Sequence, residues 1–185
     1  MLQVDMTAEI RTVFGKGPMR QLRMKNITPA NLYSGGKEAL SLQMNTSELF
    51  KKLLFIHGRN AVVTIKIEGD SKEQRHVLVQ EIQKEPVNGG LVHVDFLEIE
   101  LDQKLNWVVP IDYTGTAKGV DLGGELQVFK TNVKVNGRPL DVPDTIEVDI
   151  TPLEQGGAGI TYGDIPVPDN LTMLEKEDVT CVTVY

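Results

Sequence analysis

The chain has 185 residues, 41% of them hydrophobic, with 17 glycines and 9 prolines; this is the composition of one or two globular domains, not of a disordered or low-complexity segment. Its net charge of −7 would argue against a nucleic-acid binder, but the total hides a segregation: residues 1–97 hold 13 Lys/Arg against 10 Asp/Glu, residues 98–185 hold 6 against 16, and the first 37 hold 6 against 2. Cys181, the single cysteine, rules out an intramolecular disulfide framework and a cysteine-rich zinc site.

Period-2 alternation dominates the chain from its start, the pattern of strands with one buried face. Leu2, Val4, Met6, Ala8 and Ile10 alternate with Gln3, Asp5, Thr7, Glu9 and Arg11. After the flexible Gly15-Lys16-Gly17, a short helix is expected over Met19–Met24. Ala30 and Leu32, then Leu40, Leu42 and Met44, continue the strand pattern. Asn45 is placed to cap a packing helix, with Glu48 as its capping-box partner, Leu49, Phe50, Leu53, Leu54 and Ile56 as a broad apolar face, and Gly58 at its end. Ala61, Val63, Ile65 and Ile67 precede a turn at Gly69-Asp70-Ser71-Lys72 that returns the chain through Val77 and Val79. Val92, Val94 and Phe96 then alternate with His93 and Asp95. The first half reads as a mostly antiparallel sheet curled into a barrel.

The second half is β-rich as well. Strands are expected at Leu105–Tyr113, Glu125–Val135, Thr145–Ile150 and Leu171–Tyr185, with glycine- and proline-marked turns between them, and an antiparallel sandwich-like domain fits best. The charge change near residue 98 sets the boundary, giving domains 1–97 and 98–185. No run of about 18 apolar residues occurs. Met1-Leu2-Gln3-Val4-Asp5 has no basic region followed by an apolar core, so the expectation is a cytoplasmic chain without membrane or secretory segments.

Signals of catalysis are poor. His57, His76 and His93 lack the spacing of a zinc-protease helix, and the acidic residues lack the spacing of a calcium loop. Gly156-Gly157-Ala158-Gly159 is followed by neither Lys-Ser/Thr nor a helical pattern, so it reads as a turn and not a phosphate loop. Cys181 sits in an alternating stretch as a quiet strand residue. The expectation is a protein that is not an enzyme and takes no metal or cofactor.

The polar phase of the first-half strands says more. Arg11, Tyr33, His93 and Asp95 fall on the outward side of strands whose other side is apolar, and Lys16, Arg20 and Arg23 follow on a glycine-marked segment. Cations bind phosphates, Tyr stacks or meets sugar hydroxyls, and Asp accepts from a base amino group. Together they point to RNA.

The residues Gly15-Lys16-Gly17…Arg20-Gln21-Leu22-Arg23, Thr28-Pro29-Ala30-Asn31-Leu32-Tyr33, Gln83-Lys84-Glu85-Pro86 and His93-Val94-Asp95-Phe96 resemble the long form of bacterial large-subunit ribosomal protein twenty-five, the family of the general stress protein Ctc. Val109-Pro110-Ile111, Gly119-Val120…Gly123-Gly124 and Val142-Pro143…Ile146-Glu147-Val148-Asp149-Ile150 extend the resemblance over the second half. It implies a six-stranded barrel that binds 5S rRNA at loop E in the central protuberance, followed by an acidic β-rich domain. It also implies a monomer within the large subunit, with 23S rRNA and neighbouring ribosomal proteins as further contacts. The alternative is a stress-associated RNA-binding protein acting mainly off the ribosome. The RNA-contacting residues implied are Arg11, Lys16, Arg20, Arg23, Tyr33, Gln80, Gln83, His93 and Asp95. Three positions depart from the family pattern: Gln21 replaces a cation, Glu85 stands where a His is common, and Asn26 replaces a Gly, a change that Asn's tolerance of left-handed backbone makes mild.

Overall fold

In the computed structural model, which describes residues 2–35, 39–56, 60–70, 72 and 74–185, the alternating segments pair into strands within two compact units, Leu2–Leu101 and Asp102–Tyr185. The first unit runs β1 (Leu2–Ile10), α1 (Lys16–Met24), β2 (Ile27–Tyr33), β3 (Leu40–Asn45), α2 (Thr46–Ile56), β4 (Ala61–Glu68), β5 (Arg75–Lys84) and β6 (Leu91–Glu98). Its six strands close into a barrel in the order β1-β3-β2-β6-β5-β4, so no sheet edge is left at either side. Four of the six pairings are antiparallel; β1 with β4 and β2 with β6 are parallel.

The apolar phase of each strand fills the barrel. Met6, Ala8, Ala30, Leu32, Leu42, Met44, Val63, Ile65, Val77, Val94 and Phe96 are buried in one cluster. Leu49, Leu53 and Ile56 of α2 are buried with them. The Asn45 side-chain oxygen accepts from the backbone N–H groups of Ser47 and Glu48 at 3.0 and 3.3 Å, the cap expected from its position. The apolar face of α2 is narrower than expected, since Phe50 and Leu54 are exposed. Gly58 and Ser71, expected at a helix end and in a turn, lie outside the described residues.

Helix α1 starts three residues before the expected Met19. Gly15, at φ 102°, turns the chain into it, and Pro18 is tolerated because the first turn needs no donor there. None of its residues is fully buried, so it is a surface helix. After it the chain reverses through Asn26 at φ 62°, the left-handed conformation that Asn accepts in place of Gly.

The second unit contains β7 (Leu105–Thr114), α3 (Lys118–Asp121), β8 (Leu126–Val128), β9 (Asn132–Gly137), β10 (Ile146–Asp149), β11 (Ile160–Thr161), β12 (Thr172–Met173) and β13 (Thr180–Val184). They form a four-stranded sheet, β10-β7-β9-β12, and a three-stranded sheet, β11-β13-β8. All pairs are antiparallel except β10 with β7. Two expected strands are each divided. Between β8 and β9 the backbone N–H groups of Phe129 and Lys130 both donate to the Cys181 carbonyl, a corner at which the chain leaves one sheet for the other. Likewise β12 and β13 belong to different sheets, with the acidic stretch 174–179 between them. Cys181 is fully buried in β13, where burial pushes its thiol up.

Candidate nucleic-acid interface

A barrel filled by one phase of its strands presents the other phase outward, and register decides which outward residues become neighbours. On the outer side of β2, β6 and β5, Asn31 is level with Asp95, and Asp95 with Glu81. One step along, Tyr33 is level with Leu97; one step back, His93 is level with Gln83. Two irregularities in the β5–β6 ladder create this arrangement. The first, between Val79 and Glu81, leaves Gln80 as an extra, exposed residue in a bulge; the second, between Gln83 and Lys84, leaves Val92 extra.

The centre of this face is the pair His93 and Asp95. The His93 Nδ1 and Asp95 Oδ1 atoms are 3.1 Å apart, yet the ring nitrogen is not aligned for a hydrogen bond, and Oδ1 is buried without a hydrogen-bond partner. Burial lowers the His93 pKa below its usual value; Asp95 works against this, Arg11 and Arg23 reinforce it, and Glu81 opposes it more weakly. The ring is thus mainly neutral at pH 7. Gln83 donates to Glu81 Oε1 at 2.9 Å, which ties down the second carboxylate on the face.

Helix α1 flanks β2 and supplies the cations. Lys16, Arg20 and Arg23 are spaced i, i+4, i+7, so they lie along one side of the helix, and all three are exposed. Arg23 Nε donates to the Val92 carbonyl at 3.0 Å, which anchors the end of this stripe beside His93.

Arg11 differs from its expected setting. It lies just past β1 and only 9% of it is exposed, so it is a covered residue, not a surface one. Its outward phase is as expected, but that side is roofed by the segment leading into α1. One guanidinium nitrogen donates to the Val13 carbonyl at 3.3 Å and lies 3.0 Å from Met19 Sδ, and the group stacks over the Phe14 ring, 5.1 Å from its centre. Its Nε is buried without a partner, and desolvation lowers its pKa.

The structure therefore gathers Arg23, Tyr33, Gln83, His93 and Asp95 onto or beside one face, with Arg11 beneath its margin, Gln80 on the bulge and Lys16 and Arg20 along the flanking helix. Sequence reasoning missed Glu81, Asn31 and Phe14. Glu81 joins the face only through register across the bulged β5–β6 ladder, and Asn31 only through the parallel β2–β6 pairing; Phe14 was legible as an aromatic residue beside Gly15-Lys16. Arg75 is occupied elsewhere, 2.6 Å from Asp70 and 3.0 Å from Glu98. Among the described residues, no group of three or more His, Cys, Asp or Glu side chains could hold a metal ion, and no helix is long and apolar enough to cross a membrane.

Comparison with known proteins places both units. Residues 6–96 match the Ribosomal L25p family, and residues 104–185 match the family described as ribosomal protein TL5, C-terminal domain. The large ribosomal subunit protein bL25 of Desulfotalea psychrophila is 44% identical over 177 residues, covering 94% of this chain and 93% of the relative. Those of Halothermothrix orenii and Bacillus licheniformis are 35% and 32% identical, covering 100% and 96% of this chain and 83% of each relative. This is a family of ribosomal structural proteins, not of enzymes. With both units matched in order and the relatives aligned over nearly the whole length, the chain belongs to the bL25 family of large ribosomal subunit proteins, in its long, two-part form.

Proposed function

We propose that this chain is a structural constituent of the large ribosomal subunit, working in the cytoplasm, whose first unit binds 5S rRNA at the irregular helix of loop E in the central protuberance. The observation that carries the reading is the pairing of a cationic stripe, Lys16, Arg20 and Arg23, with a polar strand face centred on His93 and Asp95. The stripe would fix register on phosphates, and the face would read base edges, a division of labour common to nucleic-acid interfaces. An irregular RNA helix suits such a face, because an ordinary A-form duplex offers a protein mainly shape and backbone. The unsatisfied Asp95 oxygen is an acceptor suited to a base amino group, which gives a carboxylate a purpose against a polyanion. Tyr33, Gln80 and Gln83 border the same face, and Arg11 supports its margin. The binding domain is residues 1–97, with Glu98 completing β6. The second domain, net −10 over residues 98–185, would face neighbouring ribosomal proteins or local 23S rRNA contacts.

Sucrose-gradient fractionation at physiological salt tests the assignment. The chain is expected in the large-subunit peak, and 5S rRNA binding by the purified protein should weaken steeply with salt. Absence from that peak, with 5S rRNA binding retained, would favour an RNA-binding role off the ribosome.

A further inference from the structure

Phe14 is 62% exposed, immediately before the glycine that turns the chain into α1. An isolated exposed Phe is ordinary on a protein surface. This one is mounted. The Arg11 guanidinium covers one side of the ring at 5.1 Å and is itself held by the Val13 carbonyl and Met19 Sδ. The cation cannot move out without losing these contacts, and the ring's exposure leaves its other side facing solvent. Arg11 reaches Met19 of α1, and Arg23 at the other end of that helix donates to the Val92 carbonyl next to His93, so the ring stands on the α1 side of the His93–Asp95 face. Lys16 follows two residues later, at the head of the cationic stripe.

We propose that Phe14 is a stacking platform for an unpaired base of the bound RNA, a site within the interface but distinct from its edge-reading centre. The proposal rests on the RNA-binding reading of that interface. A nucleobase fits better than an apolar protein side chain because the ring is bordered by cations that attract a phosphate backbone, and stacking needs only a flat, accessible π-face. A cation behind the ring holds it upright by attraction to its π-face. Arg11 thereby acts as a positioning residue for the ring.

The test is 5S rRNA binding by the full chain across a salt series. Phe14→Leu keeps an apolar side chain and loses the aromatic face; it should weaken binding about ten-fold and leave the slope of log affinity against log salt unchanged, since no phosphate contact is lost. Phe14→Trp should restore affinity to within about three-fold, and its indole fluorescence should be quenched on RNA binding, above the background of Trp107, the only natural tryptophan. A Lys16→Ala control should weaken binding and lower the salt slope. If Lys16→Ala behaves so while Phe14→Leu binds as wild type, or the indole of the Phe14→Trp variant is not quenched, the stacking site is wrong and the interface stands. If Lys16→Ala also changes nothing, the interface itself is wrong, and the stacking site falls with it.

Discussion

Cations in the two units keep different company. On α1, Lys16, Arg20 and Arg23 stand along one side of a helix with no acidic residue in its first turn and no ion-pair partner among the described residues. In the second unit, Lys134 is 3.7 Å from Glu175, and the remaining cations are scattered among 14 acidic residues over residues 102–185. The glycines differ too. Gly15 lies in open space and serves the entry to a surface helix, whereas a Cβ on Gly124 would meet Val184 and the Gly119 carbonyl at 2.7 and 2.8 Å. The second unit uses Gly119 and Gly124 to bring backbone close to backbone, and the first uses Gly15 to present a helix. A net charge over the whole chain averages a cationic helix face with an acidic body and describes neither.

The comparison can be broken most forcefully at the core. Phe96 is wholly buried in the barrel, and Phe96→Ala should cost about 3–5 kcal/mol of barrel stability. Trp107, buried in the second unit with its indole N–H donating to the Gly137 carbonyl, gives a separate optical signal. Urea unfolding followed by circular dichroism should show an early transition for the barrel, while Trp107 fluorescence keeps its wild-type midpoint. A common shift of both signals would mean that the units do not unfold separately.

Removing two cations of the stripe is the next largest change. Arg20→Ala with Arg23→Ala should weaken 5S rRNA binding about ten-fold or more at moderate salt and reduce the salt slope by between one and two. Neutralising Lys130 and Arg138 in the second unit should leave both quantities within error. Equal losses from the two pairs would erase the distinction drawn between the units.

A smaller effect concerns pH. His93 has a folded-state pKa lowered chiefly by burial, so between that value and the unfolded value near 6.5 the unfolded chain binds more protons than the native one. Its contribution to stability is therefore complete above about pH 6.5 and is lost as pH falls through the lowered folded value. His93→Gln should flatten this acid-side decline in urea midpoint without altering stability at pH 8 by much. A decline as steep as wild type would place the titrating group elsewhere.

Much of this was legible in the sequence. Alternation located every barrel strand, because each strand has one side in a single core, and Asn45 announced α2. Alternation does not say which strands are neighbours, so the parallel pairings β1–β4 and β2–β6 were not readable from it. The bulges that leave Gln80 and Val92 extra depend on cross-strand register, which hid Glu81 and Asn31 beside Asp95. Arg11 shows a different limit. Its phase correctly pointed away from the core, but a residue pointing outward is exposed only if nothing folds over it, and Phe14 and Met19 do. In the second unit, Glu125–Val135 and Leu171–Tyr185 read as single strands because apolar patterning does not register a corner between two sheets.

The most direct measurement of the central claim, that the β6 face reads RNA, is the 5S rRNA affinity of Asp95→Asn. The substitution removes a negative charge from a surface proposed to meet a polyanion, so attraction alone would leave binding unchanged or tighten it. A carboxylate accepting from a base amino group instead predicts a loss of about 1–3 kcal/mol, with urea unfolding confirming an intact barrel. Weaker binding by the folded variant is the expected result; equal or tighter binding would contradict the account.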